Sequence, residues 1–444
     1  MLSDRSALTY EFRCHSAVAA SKHAWFAQSG DIVLLPEPLS AEMTDYMCQV
    51  KELAPDAVKI MSASRPPTEV RPLDTGLLED GELLQRLKRA LGNSAEWELF
   101  PYHYDRTVCG LARQLGLSSM GALPSLYREA GSQIFNDKKI FRCLAASRGV
   151  PIAEGRIASS AAELSDAFDE LMSITGAVIV KQNRHSGALG NIIVSRDPGV
   201  ARQGATERIL IGIHRSMEDI AEELWSRLGA ASADVLIVEA YYPVSKVCYV
   251  EFAIRGRDHI PKFLNFGEQR MAPLFAGFQI PGEISAYHQA HLIAGASEIV
   301  NLAKDLGFQG LIDVDAIITS DGKTLFCEVN GRCGGCSHIH HMAEALLCKD
   351  YGNEHVILSR NGVEAPGFDE VLALIAGAGL HLRRGGSEGI LITAEDTRRS
   401  GSIDYMIAAP SNGRAHEIEN WFIAELNLLG QSVRGGVARS GRLH

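Results

Sequence analysis

The chain has 444 residues, is 46% hydrophobic and 22% charged, and carries a formal net charge of −11 at pH 7. That length accommodates two or three domains, and that balance is the one of an ordinary globular protein. The acidic excess disfavours nucleic acid or an anionic membrane as the main partner, and no apolar run approaches transmembrane length.

The opening MLSDRSALTYEFRCH lacks an apolar signal core, and the nine cysteines are scattered. Both features fit a cytoplasmic protein with reduced thiols. The first twenty or so residues show no clear pattern. DIVLLPEP (31–38) reads as a strand ending in a turn, followed by a helix near 41–53, a short strand AVKIMSA, a helix at 80–91 and WELFPYHYD around 97–105. This alternation suggests a small α/β domain of Rossmann-like character over residues 1–134. It has no glycine fingerprint, which makes it a poor dinucleotide site.

From 135 the texture changes. A helix with paired lysines spans 137–147, and the strand GAVIVKQN leads through HSGALGN to the strand IIVS. A charged, glycine-containing loop (195–212), a helix (215–228) and the strand VLIVEAYY follow, then the strand-like runs VCYVEFAI and IPKFLNF, a proline-rich turn and a helix at 285–306. Next comes GFQGLIDVDAIITSDGKTLFCEVNGRCGG, two apolar runs joined by Ser320-Asp321-Gly322, and a helix at 338–348. These elements make a unit over 135–351. After 352 the pattern restarts with a helix at 369–380, the strands GILITAED and SIDYMIAAP joined by RRSGS, a helix at 414–428 and a basic, glycine-rich tail. This part, 352–444, reads as a separate small α/β domain.

The chemistry concentrates in the two apolar runs near 315. Paired as an antiparallel hairpin, they bring Asp315 opposite Glu328, and alternation puts Glu328, Asn330 and Arg332 on one face. Two carboxylates and a neutral amide oxygen suit magnesium, which takes hard oxygen ligands and completes its shell with phosphate and water. Two ions can be held if Glu328 bridges them. The same residues also read as the solvent face of a hairpin, but a buried acid must be paired or ligated. Arg332 can make a forked contact with a γ-phosphate or acyl phosphate, or a salt bridge with a nearby acid.

Other candidates are weaker singly. In HSGALGN, Ser186, Gly187 and Gly190 let backbone amides approach phosphates, although an ordinary hairpin turn reads the same and a P-loop is absent. Lys138, at the head of a helix, and Lys181, ending a buried strand, suit phosphates as point charges. Glu239 ends an apolar strand where Ala240 and Tyr241 can offer backbone groups to an adenine. Arg270 can hold a substrate carboxylate or a developing oxyanion, or sit on the surface. His338 can accept an amine proton, or cap the following helix with Ser337. Cys333 and Cys336 are spaced as in a zinc or thioredoxin-like motif, with His338, His340 and His341 nearby but no second cysteine pair. Asp396, Arg398, Arg399 and Asp404 surround a turn that reaches an acceptor site or is simply polar.

Taken in order, DKK at 137–139, VIVK at 178–181, the glycine loop, IVEAYY at 237–242 and GxxGLIDVDAI leading to EVNGR resemble the ATP-grasp superfamily over residues 135–350. The resemblance implies an α/β and α+β protein with an ATP-grasp core, an N-terminal Rossmann-like pre-ATP-grasp domain and a small C-terminal α/β domain. It implies ATP and one or two Mg²⁺ ions (or Mn²⁺), with Lys138 and Lys181 on the phosphates, Glu239 and its neighbours at the adenine, Asp315, Glu328 and Asn330 on the metal, and Arg332 facing the transferred phosphate. Family members activate a carboxylate as an acyl phosphate that an amine then displaces. Many hold the ribose with a second acid seven or eight residues after the hinge glutamate. Those positions here are Lys246 and Val247, which leaves the ribose to other groups or to Glu251 after a shift in register. The segment GRCGGCSH and the region GILITAEDTRRSGSIDYMIAAP look similar to the pheganomycin-type peptide ligases of bacterial natural-product assembly. That likeness implies a small carboxylic or amino-acid-like donor and an amine or peptide acceptor. An ATP-grasp carboxylase, a thioester-forming ligase and a non-catalytic nucleotide-binding protein are the alternatives, and a homodimer is the commonest state for such an enzyme.

Overall fold

The structure is a computed structural model that describes residues 10–62, 73, 80–117, 125–129, 131–184, 188–212, 215–229 and 235–440. Two sheets face each other across a cleft, and the sequence decides which strands go where. The N-terminal part contributes β1 (Ile32–Leu35) and β2 (Lys59–Ser62), paired in parallel. Helices Ala41–Val50, Gly81–Leu91 and Arg106–Leu115 accompany them, each begun by a serine or aspartate whose side chain accepts from a first-turn amide.

The first lobe of the core is a five-stranded sheet. It holds β3 (Gly155–Ala158), β4 (Ala177–Gln182), β5 (Asn191–Ser195), β6 (Glu207–Leu210) and β7 (Leu236–Ala240), in the order β3-β7-β4-β5-β6. In β7 every residue is buried because it lies between β3 and β4. Helices Ala161–Thr175 and Met217–Leu224 cover one face, placing Leu164, Phe168, Leu171 and Leu224 against Val178, Val194 and Val238. Neither β3 nor the helix Ala161–Thr175 is among the expected elements, and β6 falls inside the stretch expected to be a loop.

The second lobe is built on an eight-stranded antiparallel sheet. In chain order its strands are β8 (Val244–Ile254), β9 (Lys262–Met271), β10 (Phe275–Ile280), β11 (Gly310–Thr319), β12 (Thr324–Asn330), β13 (Val356–Glu364), β14 (Gly389–Asp396) and β15 (Ser402–Ala409). In space they run β12-β11-β8-β9-β10-β13-β15-β14. The helices Lys138–Ser147 and Ala286–Asp305 pack on the β8, β11 and β12 end through Phe141, Leu292, Ile299 and Val314.

The C-terminal strands differ from the sequence expectation. They are not a detached unit after residue 352, because β13 pairs with β10 at Gln279↔Leu358 and carries the same sheet onward into β15 and β14. The N-terminal part closes on them. The Trp25 indole donates to the Thr393 carbonyl at 2.7 Å, and the Ile392 amide donates to the Tyr46 hydroxyl at 3.1 Å. The turn residues bridge to the same part, with Arg399 paired to Glu37, Arg398 to Glu42, and Asp404 to the buried Lys22 at 2.7 Å. Among the described residues no helix is long and apolar enough to cross a membrane.

Arg270 of β9 holds the last helix, Asn412–Ser440, onto this sheet. Its guanidinium makes a two-pronged pair with Glu419 at 2.6 and 2.7 Å and donates to the Ser359 carbonyl, while the buried Tyr405 hydroxyl donates to Glu419 as well. Removing one partner of such a pair strands the other charge in a dry environment. Arg270→Ala is therefore expected to destabilise the chain by about 3–5 kcal/mol, measured by urea unfolding. Glu419→Gln should cost less, because the amide still accepts from Arg270 and Tyr405.

Candidate active site

The cleft between the two sheets has a volume of about 1560 Å³ and is lined by both lobes and by the N-terminal part. Its floor is the β11–β12 hairpin. The register places Asp315 opposite Glu328 and Asp313 opposite Asn330. The turn at Ser320-Asp321-Gly322 uses a glycine at φ 84°, the left-handed region that favours glycine.

Two half-buried carboxylates on facing strands repel unless something compensates them. Lys138 supplies one compensation: its Nζ lies 2.7 Å from Glu328 Oε2. The helix that carries Lys138 starts where it does because Asp137 caps it, accepting from the Ile140 amide. Asn183, just past β4, then stitches this helix start to the first lobe. Its Nδ2 donates to Asp137, its Oδ1 accepts from the Lys139 amide, and its carbonyl accepts from the Lys138 amide. The lysine is thus aimed by the lobe opposite the hairpin.

Asp315 finds amide donors instead. Gln269 Nε2 donates to it at 2.8 Å and Asn330 Nδ2 at 3.3 Å, with Asn330 Nδ2 also donating to Asp313 at 3.0 Å. With its amino group committed to the acids, Asn330 presents its Oδ1 as the ligating atom. Burial, with the neighbouring Asp313 and Glu328 charges, pushes the Asp315 carboxyl well above its usual range. Burial also raises Asp313 to about 7, against the pull of Arg332 and with the push of Glu251. Burial acts on Glu328 in the same direction, yet the Lys138 ammonium outweighs it and holds Glu328 low. One Asp313 oxygen, Oδ1, is buried without a hydrogen-bond partner. A hard dication placed among these oxygens supplies the missing charge, so the residues fit Mg²⁺. Among the described residues no three His, Cys, Asp or Glu side chains are grouped as a ligand set. The fit therefore rests on two carboxylates and an amide, with phosphate and water completing the shell.

Arg332 follows Asn330 and lines the same cleft. Its Nε donates to the Tyr102 hydroxyl at 2.9 Å and its NH1 to Asn136 Oδ1, so two neighbours outside the hairpin fix its direction. Burial disfavours its charge, but Tyr102, Asp313 and Glu328 keep it firmly protonated.

In the first lobe, Glu239 is the centre of a buried ionic set. Lys181 Nζ lies 2.5 Å from Oε2 and Arg142 NH1 lies 2.6 Å from Oε1. Burial alone would raise the Glu239 carboxyl, and the two cations reverse that and hold it low. Burial would lower Lys181, and Glu239 reverses that too. The Ala240 amide donates to the Glu154 carbonyl at 2.8 Å and the Tyr241 amide to the Ala177 carbonyl at 2.9 Å. Both amides are therefore spent inside the protein, and what Ala240 and Tyr241 offer a ligand is their carbonyls and side-chain surfaces.

The remaining candidates scatter. Ser186 and Gly187 lie outside the described residues. Gly190 is buried in the turn, its carbonyl accepting from the Gln182 amide, while Ala188, Leu189 and Asn191 line the cleft. Arg270 is turned to Glu419 and is not among the cleft-lining residues. His338 does line the cleft, near its N-terminal wall. It does not cap its helix, Ser337–Leu346, where Cys336 occupies the cap position without a side-chain bond and Ser337 donates to Glu251. Burial first, then Lys22, His23 and His341, hold the His338 imidazole well below its usual pKa, so it is neutral at pH 7. Glu251 is fully buried and accepts from Asn265 and Ser337, which removes it as a ribose ligand; Lys246 pairs with Glu268 at 2.8 Å.

Sequence reasoning did not single out Asp313, Asn183, Arg142, Tyr102 or Asn136. Asp313 was readable, since it lies two residues before Asp315 on the same strand face. The other four reach the site only through the fold.

With this geometry in place, comparison with known proteins gives three findings. Residues 20–117 match the family model of the pre-ATP-grasp domain. The L-propargylglycine–L-glutamate ligase of Streptantibioticus cattleyicolor is 23% identical over 303 residues, a match spanning 66% of this chain and 59% of the relative's own length. Two solved structures share the fold. N5-carboxyaminoimidazole ribonucleotide synthetase from Thermus thermophilus aligns at a TM-score of 0.53 with 16% identity, covering 89% of this chain and 98% of that one. Biotin carboxylase from Campylobacter jejuni aligns at 0.53 with 12% identity, covering 90% and 85%. The chain has the ATP-grasp fold with a pre-ATP-grasp domain on its N-terminal side.

The facing acids have a measurable consequence. A carboxyl whose folded pKa is raised stabilises the fold most below its unfolded pKa of about 4, and that contribution is lost as the pH rises through its folded value. For Asp313 that loss runs up to about pH 7. Asp315→Asn removes one of the facing charges. In thermal melts without Mg²⁺ it should raise Tm by a few degrees at about pH 8 and flatten the fall in Tm between about pH 5 and about pH 8.

Proposed function

We propose that the protein is an ATP-dependent acid–amine ligase, which phosphorylates a carboxylate with ATP and transfers the acyl group to an amine. The observation that carries this reading is the convergence of Lys138, Asp315, Glu328, Asn330 and Arg332 on the floor of one cleft, opposite Lys181. Lys181 and Lys138 suit the ATP phosphates, and the Glu239 set keeps Lys181 charged although buried. Mg²⁺, when held by Asp315, Glu328 and Asn330, would neutralise charge on the triphosphate.

The carboxylate oxygen attacks the γ-phosphorus, the bond from that phosphorus to the bridging oxygen breaks, and ADP leaves. Arg332, aimed by Tyr102 and Asn136, offers its remaining N–H groups to the transferred phosphoryl oxygens. The amine nitrogen then attacks the acyl carbon, phosphate departs, and the amine gives up a proton. His338 lines the cleft, but the burial that keeps its imidazole neutral also makes it a weak base, so the departing phosphate is the better acceptor of that proton. No covalent enzyme intermediate is needed, so positioning and electrostatics carry the catalysis.

The ligase of Streptantibioticus cattleyicolor, named for joining two amino acids, supports an amino-acid-like donor and an amine acceptor. A second reading has specific support as well. The structural relatives include an N5-carboxyaminoimidazole ribonucleotide synthetase and a biotin carboxylase, which favours bicarbonate as the activated acid. The chemistry is shared up to the identity of that acid.

One experiment separates them. With ATP, Mg²⁺ and hydroxylamine, a ligase forms a hydroxamate from an organic acid, whereas a carboxylase releases ADP only with bicarbonate and fixes labelled bicarbonate onto an amine. The ligase reading expects hydroxamate from at least one organic acid, with Glu328→Gln lowering the rate by about a hundredfold or more while the fold is kept. Bicarbonate-dependent ADP release with no hydroxamate from any organic acid would overturn it.

A further inference from the structure

Beyond the hairpin, one wall of the cleft is aromatic, and apart from Tyr102, which aims Arg332, neither phosphoryl transfer nor amine attack makes use of it. It is assembled from three separate segments. His23 and Phe26 come from the short helix Lys22–Phe26, Phe100 and Tyr102 from the loop after residue 97, and His341 from the helix Ser337–Leu346. The rings touch in sequence: His23 and Tyr102 centroids are 5.0 Å apart, Phe26 and Phe100 5.3 Å, and Phe26 and His341 5.0 Å. All five side chains line the cleft. Phe100 is 59% exposed and Tyr102 46%, so these two large rings are left uncovered by the protein itself. A contiguous aromatic surface left open among the described residues, inside a concave site, marks a place where apolar matter is bound.

Charge points the same way. Burial holds His23 and His341 at a pKa of about 4, so both imidazoles are neutral at pH 7. The nearby Lys22 is already matched by Asp404. The five rings themselves therefore carry no charge at pH 7, and a side chain laid against them meets neutral surface.

Position identifies the ligand. The Tyr102 hydroxyl accepts from Arg332, the arginine that faces the transferred phosphate. The patch therefore begins one side chain away from where a carboxylate is activated. We propose that His23, Phe26, Phe100, Tyr102 and His341 form the subsite for the side chain of the carboxylate substrate, and that it selects an aromatic or large apolar side chain. This rests on the ligase reading above for the word substrate, and on the wall alone for the chemistry selected.

The test uses the full chain, ATP, Mg²⁺ and hydroxylamine with a panel of phenylalanine, leucine, glycine, glutamate and lysine. Hydroxamate formation should have a kcat/KM at least about tenfold higher for phenylalanine than for glycine or glutamate. Phe100→Asp, at an exposed position where the fold tolerates it, should raise KM for phenylalanine about tenfold with a smaller change in kcat, and Phe100→Leu should restore most of it. Equal or better use of glycine, glutamate or lysine overturns the subsite and leaves the ligase reading standing. So does a Phe100→Asp enzyme with unchanged KM. If no acid yields hydroxamate, the ligase reading falls, and saturation-transfer NMR of phenylalanine on the ATP-analogue complex decides the subsite. Ring-proton contact that Phe100→Asp abolishes keeps it, and absence of contact overturns it.

Discussion

Two carboxylates, Asp315 and Glu328, face each other across an antiparallel hairpin, and the arrangement costs free energy until positive charge or protons come between them. Much of the cleft answers that cost. Lys138 is brought to Glu328 by a helix whose start is tied to the opposite lobe through Asp137 and Asn183. Gln269 and Asn330 turn amide donors on Asp315, and Arg332 closes the row. The charge left uncompensated, together with the orphaned Asp313 oxygen, gives a hard dication its reason to bind. Stability and ligand affinity would thus be opposed at this site: what destabilises the unliganded hairpin is what would strengthen its hold on a metal.

The first lobe solves a matching problem with opposite sign. Lys181 ends a strand that is otherwise buried, and a buried ammonium loses its charge unless paired. Glu239 pairs it, and Arg142 pairs the second oxygen of Glu239, so two cations and one anion leave a net positive charge beside the cleft. A wall of that sign opposite an acidic floor suits a polyphosphate lying between them. Glu239 is the centre of this ionic set and lines the cleft together with Ala240 and Tyr241.

The acidic hairpin was fully legible in the chain, because a two-residue period and a Ser-Asp-Gly turn leave one register that buries the apolar residues. The ATP-grasp architecture followed from the order of the motifs. The helix Ala161–Thr175 also had a readable signal, with Leu164, Phe168, Leu171 and Met172 at helical spacing between the Ser160 cap and Gly176. β13 did not. Val-Ile-Leu-Ser-Arg-Asn-Gly-Val-Glu alternates poorly and slips register between Arg360 and Val363, and it is a strand because β10 and β15 flank it. That tertiary override is why the C-terminal region read as a separate domain. Arg270 illustrates the same limit at the level of one side chain. Its neighbours in sequence say nothing of Glu419, which lies 149 positions away and takes both of its N–H prongs.

On the proposed reading, the parts of the cleft that would activate an acid and the parts that would choose it come from different places. Lys138, Lys181, the hairpin and Arg332 belong to the two grasp lobes, and on the proposed reading they would treat bicarbonate and an organic acid alike, since both would present a carboxylate oxygen to the γ-phosphorus. The wall beside Arg332 comes from the pre-ATP-grasp domain, through His23, Phe26, Phe100 and Tyr102, together with the helix after the hairpin. Arg332 is joined to that wall by a single hydrogen bond from its Nε to Tyr102. On the proposed reading a change at Phe26 or Phe100 would alter which acid fits without touching Arg332 or the hairpin acids, whereas a change at Tyr102 would also release the Arg332 Nε. Bicarbonate has no side chain to place against a phenyl ring. An exposed aromatic wall at that point of the cleft is therefore an argument for an organic acid, made from side chains that lie outside the hairpin.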